Sequence, residues 1–122
     1  MPYNLSISDD NTMIIIKVDG NVNSTMALEY SMNAYLLAKD KGILCFLIDL
    51  TNARNQQTIA ENYDFMNLDL DESGFVDRRA KIAMLVSPED HSHDFVEKIA
   101  RIMGHNILLC RKMDDAITFL KH

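Results

Sequence analysis

The sequence predicts an α/β fold in which a five-stranded, mostly parallel sheet is covered by about four helices. Two observations carry this prediction. Short apolar runs alternate with longer segments whose apolar residues recur every three or four positions. One run, ILCFLIDL (43–50), is almost without polar residues, which is typical of a strand buried on both faces. Strands that alternate with helices of this length favour right-handed crossovers and parallel pairing.

The apolar runs and the turns between them give the predicted strands. These strands comprise residues 3–8, 13–20, 43–50, 80–86 and 106–110. The first two runs flank DDNT, whose Asp and Asn side chains favour a turn. We therefore expect a hairpin whose first strand is an antiparallel edge. The third run is predicted to be central, with Cys45 and Leu47 buried.

Capping residues and helical spacing of apolar residues give the predicted helices. Ser24 is a candidate N-cap of the first helix, and Gly42 ends it because glycine readily adopts a left-handed turn. Ser87 is a candidate N-cap of the third helix, and the fourth covers residues 114–120. The apolar stripe of the second helix comprises Ile59, Tyr63, Met66 and Leu70. The inward stripe of the third comprises Phe95, Ile99, Ile102 and Met103, with Gly104 at its end.

Composition and net charge disfavour several classes of function. The 122 residues suffice for one domain spanning 1–122, and 48% hydrophobic with 25% charged residues is typical of a soluble globular protein. The net charge of −6 disfavours nucleic acid, whose binding requires a surplus of Lys and Arg. No apolar run reaches the roughly 18 residues of a transmembrane segment, and the N-terminus lacks a secretory pattern. The expected location is the cytoplasm, where Cys45 and Cys110 are predicted to be free thiols.

The most polar stretch is SPEDHSHDF (87–95), which raises the question of a metal or acid–base site. On a helix, His91 and His93 would diverge, whereas helical zinc sites use histidines four residues apart. In an extended loop the two side chains would share a face, but chelation would still need a third ligand from elsewhere. We favour the polar start of a helix over a metal site, and the sequence predicts no cofactor.

A ligand site is predicted where strand ends meet helix starts, as in other open α/β sheets. Backbone N–H groups, hydroxyls and titratable side chains combine there with apolar helix residues. This mixture suits an anionic or amphiphilic molecule with at most one negative charge. The residues assigned to the site are Asp49, Thr51, Ser87, His91 and His93. The eight methionines favour core filling, with a pliable apolar pocket as the alternative.

Three segments resemble the SpoIIAA-like proteins, which are relatives of the STAS domains of anti-anti-sigma factors and sulphate transporters. RRAKIAMLVSPEDHSHDFVEKIARI (78–102) is similar to that family's Arg-x-Ala-led core strand and the helix that follows. FLIDLTNAR (46–54) resembles its central strand, and DDAITFL (114–120) its closing helix, with Phe119 in the usual Trp place. The resemblance covers most of the chain in element order. It implies a SpoIIAA-like, STAS-related β-α superhelix and a non-enzymatic protein with suspected ligand or membrane association.

The resemblance also implies one candidate phosphorylation site. The anti-anti-sigma branch carries a phosphorylatable Ser in an Asp-Ser-x-Gly motif, at the helix start after the central strand. Counted from Asp49-Leu50, this motif falls on Gln57-Thr58-Ile59-Ala60, so Thr58 is the candidate. Because Gln57 and Ala60 replace the acid and the glycine, we predict that a kinase specific for the motif does not phosphorylate Thr58.

The function that the sequence favours is a non-enzymatic STAS/SpoIIAA-like binding or regulatory module. The alternative is a small carrier of an amphiphilic or anionic ligand. A hydrolase-type enzyme or metal-binding protein that uses His91 and His93 is the third hypothesis. The expected partners are another protein or a small amphiphilic ligand, while peripheral membrane association and a homodimer stay open.

Overall fold

The computed structural model of the chain describes residues 2–65, 74 and 77–122, apart from the side chains of Ile59 and Tyr63. The described residues form five strands and four helices, which confirms the predicted fold class. In chain order the elements are β1 (Tyr3–Ile7), β2 (Ile14–Val22), α1 (Ser24–Lys41), β3 (Cys45–Asn55), α2 (Ile59–Asp64), β4 (Lys81–Leu85), α3 (Asp94–Ile102), β5 (Asn106–Cys110) and α4 (Met113–Lys121). Within these residues, no helix has both the length and the apolar character needed to cross a membrane.

The strands pair in sequence order, β1-β2-β3-β4-β5. β1 is antiparallel to β2, and all other neighbours are parallel, so the predicted antiparallel edge strand is confirmed. β3 is central, as the apolar run at 43–50 predicts. Leu47 is buried there, while Cys45 is only partly buried, and both cysteines are free thiols as expected.

Helices cover both faces of the sheet and enclose two apolar clusters. On one face, α1 packs on β1 and β2, and α3 packs on β5 and α2. The buried residues of that cluster include Ile14, Ile16 and Leu50. On the other face, α4 packs on β3, β4 and β5, and its Ala116 and Leu120 lie among the buried residues there.

Local capping sets where α1 begins and ends. The side chain of Asn23, not Ser24, caps the helix by accepting a bond from Met26 N at 2.9 Å. The prediction of Ser24 was one residue off because both residue types are good N-caps. Gly42 ends the helix as predicted, with φ 68° and its N–H donated to the carbonyl of Ala38.

Two strands and one helix differ from the predicted bounds by more than one residue at an end. β2 continues through Gly20 to Val22, and β3 continues to Asn55, because these extensions pair with each other past the end of β4. α3 begins at Asp94 and not near Pro88. Ile99 and Met103 pack on the core as predicted, and Ala100 is buried, but Ile102 is 74% exposed and was wrongly predicted to face inward. The predicted stripe positions Met66 and Leu70 lie outside the described residues.

The β1–β2 turn is built as DDNT predicts. Asn11 has φ 59°, a left-handed conformation that Asn tolerates better than most residues. Asp10 Oδ1 accepts bonds from the hydroxyls of Thr12, at 2.6 Å, and Ser8, at 2.8 Å. These bonds, with the largest contribution from Thr12, hold the pKa of Asp10 at about 2.

Tyr30 connects α1 to the edge strand and should make the fold sensitive to alkaline pH. Its ring packs edge-on against Tyr3, with 6.0 Å between the ring centroids. Burial raises the pKa of Tyr30 to about 12 from an ordinary value of 10.0. As pH rises, the unfolded chain therefore loses the Tyr30 proton before the folded chain does. The stability that burial of neutral Tyr30 contributes is present below pH 10.0 and is lost as pH rises toward 12.

We expect wild type to lose about 1.4 kcal/mol more stability than Tyr30→Phe between pH 8 and pH 11, since one pH unit past the unfolded pKa costs that much. Urea unfolding of both proteins at the two pH values measures this difference. Because Lys and other Tyr residues titrate alike in both proteins, the comparison cancels them. Equal losses in the two proteins would show that Tyr30 ionises without an energetic penalty in the fold.

Candidate functional sites at the two edges of the sheet

The two ends of the parallel strands form different surfaces. We call the carboxyl edge the surface formed by residues 49–58, 87–94 and 111, after the carboxyl halves of β3, β4 and β5. We call the amino edge the surface formed by residues 39–44, 77–82 and 104–106, where those strands begin. All five residues that the sequence assigns to a ligand site lie at the carboxyl edge, within or next to the segments that follow β4 and extend β3.

Three of these five residues form a chain of hydrogen bonds. Asp49 Oδ1 accepts bonds from the Thr51 hydroxyl at 2.7 Å and from Thr51 N at 3.1 Å. Ser87 Oγ donates to the Thr51 carbonyl at 2.7 Å, which ties the segment after β4 to β3. Ser87 is therefore not the helix cap that the sequence predicts, because its hydroxyl is used between strands. The structure brings Asp49, Thr51 and Ser87 together as one structural network.

Arg111 holds the segment after β4 in place, and sequence reasoning missed this role. Its Nη1 donates to the carbonyls of Ser87 at 2.9 Å, Pro88 at 3.2 Å and Asp90 at 2.9 Å. Its Nη2 donates to Asp94 Oδ1 at 3.3 Å. A planar guanidinium can satisfy several carbonyls at once, which a lysine ammonium does less well. The only signal in the sequence was the position of Arg111 directly after β5.

Asp90 and His93 form a buried pair beneath this segment. His93 Nε2 lies 3.0 Å from the Ala53 carbonyl and 3.4 Å from Asp90 Oδ2, and both side chains are at most 6% exposed. Asp90 Oδ1 also accepts from Ser92 N at 2.8 Å. Burial disfavours the charged form of Asp90, but the bonds from Ser92 and the charges of His93 and Arg54 outweigh it, so the pKa of Asp90 lies below its ordinary value.

The two histidines are separated by their surroundings. His91 is exposed, and its Nδ1 lies 2.9 Å from Asp94 Oδ2 and 3.2 Å from Arg111 Nη2. His93 is buried and is engaged with Ala53 and Asp90. The structure thus does not place His91 and His93 on a common site. Among the described residues, no group of three or more His, Cys, Asp or Glu side chains is arranged to hold a metal ion.

Thr58, the candidate for phosphorylation, is the N-cap of α2. Its Oγ1 accepts a bond from Glu61 N at 3.1 Å, and the Glu61 carboxylate accepts one from Thr58 N at 2.9 Å. This reciprocal pair is a capping box. The bonds from Thr58 lower the pKa of the Glu61 carboxyl. A phosphoryl group on Thr58 would place negative charge next to Glu61 and displace this arrangement. That a kinase specific for the motif does not phosphorylate Thr58 stays a prediction.

We expect Thr58→Ala to destabilise the start of α2 by about 1 kcal/mol, the usual cost of removing a Ser or Thr N-cap. Amide hydrogen exchange of Glu61 and Asn62 should accelerate roughly fivefold for that free energy. Thr118→Ala, on the exposed side of α4, is the matched control and should leave these two amides unchanged. Unchanged exchange in Thr58→Ala would mean that tertiary contacts alone hold α2.

An apolar cavity lies between the helices on the α1/α3 face of the sheet. Its volume is about 110 Å³. From the sheet it is lined by Ile16, Phe46, Ile48, Ile82, Met84 and Ile107. From the helices it is lined by Tyr30, Ser31, Ala34 and Tyr35 of α1 and by Val96 and Ala100 of α3. None of the five ligand-site residues predicted from the sequence is among the described residues that line it.

A second cavity, of about 330 Å³, adjoins the first at the amino edge. Tyr35, Phe46 and Asp77 line both cavities, so the two are neighbours. The second is more polar and carries the charged groups of Lys39, Asp77 and Arg79. Asp77 is bound by Arg79 through two bonds, at 2.8 and 3.1 Å, which lower the pKa of Asp77 and raise that of Arg79.

Solved structures share this arrangement of strands and helices. An uncharacterised DUF3478 protein with a SpoIIAA-like fold from Shewanella loihica PV-4 is 19% identical, with 97% of this chain and 91% of that chain covered and a TM-score of 0.58. An anti-sigma factor antagonist from Mycobacterium paratuberculosis is 11% identical, with 98% and 95% covered and a TM-score of 0.60. The unphosphorylated anti-sigma factor antagonist SpoIIAA is 9% identical, with 98% and 96% covered and a TM-score of 0.58. The chain has the SpoIIAA-like fold.

The SpoIIAA-like fold confirms the resemblance seen in the three sequence segments. No protein-family model matches the sequence, and no curated protein matches it. At identities of 9–19% the similarity establishes the fold, and one fold hosts many functions. Function therefore has to come from the chemistry of the two edges.

Proposed function

We propose that this chain is a non-enzymatic, STAS-like binding or regulatory module that acts through a protein partner in the cytoplasm. The observation that supports it best is the polar network of the carboxyl edge. Asp49 and His93, two groups that the enzyme hypothesis would use, are engaged in structural bonds: Asp49 accepts from Thr51 within β3, and His93 contacts the Ala53 carbonyl. Ser87 beside them donates to the Thr51 carbonyl and so joins β3 to the segment after β4. A surface fixed in this way suits recognition of another protein better than turnover of a substrate. The fold shared with anti-sigma factor antagonists supports the same proposal.

The exposed part of the carboxyl edge is the proposed contact surface. Asn52, Arg54 and His91 are exposed there, while the backbone that carries them is held by the bonds of Arg111, Ser87 and Asp90. A partner would meet side chains on a rigid frame and would lose little conformational freedom on that side. Docking of this kind needs no rearrangement of the strands.

Site-specific photocrosslinking in cells of the source organism tests this proposal. A photoreactive residue at Asn52, on the carboxyl edge, should capture one defined protein. The same residue at Asn106, which is also exposed but lies at the amino edge, is the matched control. The captured protein, once purified, should co-elute with the chain in size-exclusion chromatography, and Asn52→Arg should abolish co-elution. Equal capture at both positions, or co-elution that survives Asn52→Arg, contradicts the proposal.

A small carrier of an amphiphilic or anionic ligand is the second candidate function. The apolar cavity on the α1/α3 face favours it, because Phe46, Ile48 and Ile82 of the central strands are only partly buried. Native mass spectrometry of the purified chain is the direct test. A small molecule retained at one copy per chain supports the carrier, and the same spectrum reports whether the chain forms a homodimer. Placement of the ligand at Asp49, Thr51, Ser87, His91 and His93 stays a prediction.

A further inference from the structure

We infer that the two adjoining cavities at the amino edge form one binding site for a single-chain amphiphile with one anionic head group. This inference rests on the carrier function proposed above and places its ligand at the edge opposite to the one that the sequence favours. The alkyl chain would occupy the apolar cavity between α1 and α3. The head group would lie in the polar cavity beside Lys39.

Within residues 2–65, 74 and 77–122, the helices leave part of the sheet over β3 and β4 uncovered, and this accounts for the apolar half of the site. Parallel sheets are ordinarily covered on both faces, so apolar side chains of central strands are expected to be buried. Phe46 and Ile48 of β3 and Ile82 of β4 are nevertheless only partly buried, although β3 and β4 are flanked by strands on both sides. An alkyl chain laid on these three residues would remove their apolar surface from water, which is favourable in proportion to the area covered.

Small side chains on the two helices set the width of the apolar half. Ala34 of α1 and Ala100 of α3 line the cavity and are each 2% exposed, so larger residues at either position would fill the space. The volume of about 110 Å³ is somewhat smaller than a cavity of about 150 Å³ that binds benzene in another protein. A single unbranched chain that extends from this cavity into the adjoining one suits the space better than a fused ring system or a two-chain lipid.

Charged side chains that line the polar cavity favour an anionic head group. Lys39 and Arg79 give the polar cavity two positive charges, and Asp77 gives one negative charge that Arg79 already binds. Among the described residues, no carboxylate lies within ion-pair distance of Lys39, so its ammonium is available to a ligand. One uncompensated positive charge matches one carboxylate, even in a chain whose net charge is −6. Because Lys39 is exposed, we expect this ion pair to contribute modestly.

NMR titration with octanoate and with octan-1-ol tests both halves of the site. Octanoate should shift the amides of Lys39, Gly42, Phe46 and Ile82 and leave those of Asp49 and Ser87 unchanged. It should bind about three- to fivefold more tightly than octan-1-ol, as expected for one exposed ion pair. Lys39→Glu should remove that preference. Lys112→Glu changes the net charge equally after β5, at the other edge, and should retain it.

Filling the apolar half provides an independent test. Val96→Phe enlarges a partly buried side chain of the cavity wall and should weaken octanoate and octan-1-ol at least tenfold alike. Ser31→Met enters the same space from α1 and should act in the same direction if Val96→Phe does not fold. A dispersed amide spectrum for each variant shows that loss of binding is not loss of fold.

The outcomes separate failure of the inference from failure of the proposed function. Shifts confined to Asp49, Thr51, Ser87, His91 and His93 overturn the amino-edge site and leave the carrier function standing. Equal affinity for octanoate and octan-1-ol, unaffected by Lys39→Glu, overturns the anionic head group. Absence of binding by both probes overturns the inference, while a small molecule retained in native mass spectrometry would still support a carrier of another ligand class.

Discussion

Replacing Arg111 with alanine is expected to lower the free energy of unfolding by about 3 kcal/mol, among the larger effects of any single polar substitution. The guanidinium donates to the carbonyls of Ser87, Pro88 and Asp90, and the side chain is 30% exposed. Removal leaves these acceptors without their charged donor, and water can reach them only in part. Urea unfolding at neutral pH measures the loss.

Two further variants separate the geometry of Arg111 from its charge. Arg111→Lys keeps the charge but offers one compact ammonium, so we expect it to recover less than half of the loss. Lys112→Ala removes an exposed cation from the next position and should change stability by less than about 0.5 kcal/mol. A loss below about 1 kcal/mol in Arg111→Ala would show that Ser87 and Asp90 hold the segment without it.

Patterns that depend on neighbouring residues alone were predicted correctly. The run at 43–50 indicated a central strand because burial on both faces excludes polar residues, and β3 is central. Gly42 indicated a helix end because few other residues adopt its φ of 68° without strain. The DDNT turn and the antiparallel hairpin also follow from local chemistry. In these cases the physical cause and its effect lie within a few residues of each other.

The segment 87–93 was predicted wrongly because its partners are distant in sequence. Ser87 and Asp90 are residue types that commonly begin a helix. The same residue types also form tertiary hydrogen bonds, as they do here. The hydroxyl of Ser87 donates to Thr51, and the carbonyls of Ser87 and Asp90 accept from Arg111. Once these bonds form, the segment runs as turns and α3 begins only at Asp94. No local spacing signals which of the two uses prevails.

The cavity could not be predicted for a related reason. Alternation along β3 and β4 shows which face Phe46, Ile48 and Ile82 share, and helical spacing shows which side of α1 faces the sheet. Neither pattern gives the distance between α1 and α3 across that face. The distance depends on where each helix packs, α1 over β1 and β2 and α3 over β5. The gap that the described residues leave over the central strands results from how these helices pack, which the periodicity of the sequence does not reveal.

Replacing Asp90 with alanine is expected to lower the free energy of unfolding by about 3 kcal/mol at pH 7, because the polar groups that contact this buried carboxylate lose their partner. Ser92 N loses its acceptor, and His93 keeps only the Ala53 carbonyl at Nε2. Asp90→Asn retains an acceptor oxygen for Ser92 and should cost less. Glu89→Ala removes an exposed acid from the adjacent position and should change stability by less than about 0.5 kcal/mol.

The same residue predicts how this stability depends on pH. The pKa of Asp90 is lowered in the fold from an ordinary value of 3.8, so its ionised form is favoured there more than in the unfolded chain. The stability that ionised Asp90 contributes is therefore fully present above pH 3.8 and is lost as pH falls through the lowered pKa. Urea midpoints of wild type and Asp90→Asn should draw together below pH 4, roughly where the unfolded carboxyl takes up its proton. A constant difference from pH 7 down to pH 3 would mean that the charge of Asp90 is not what joins Ser92 and His93, and that shape alone holds the segment after β4.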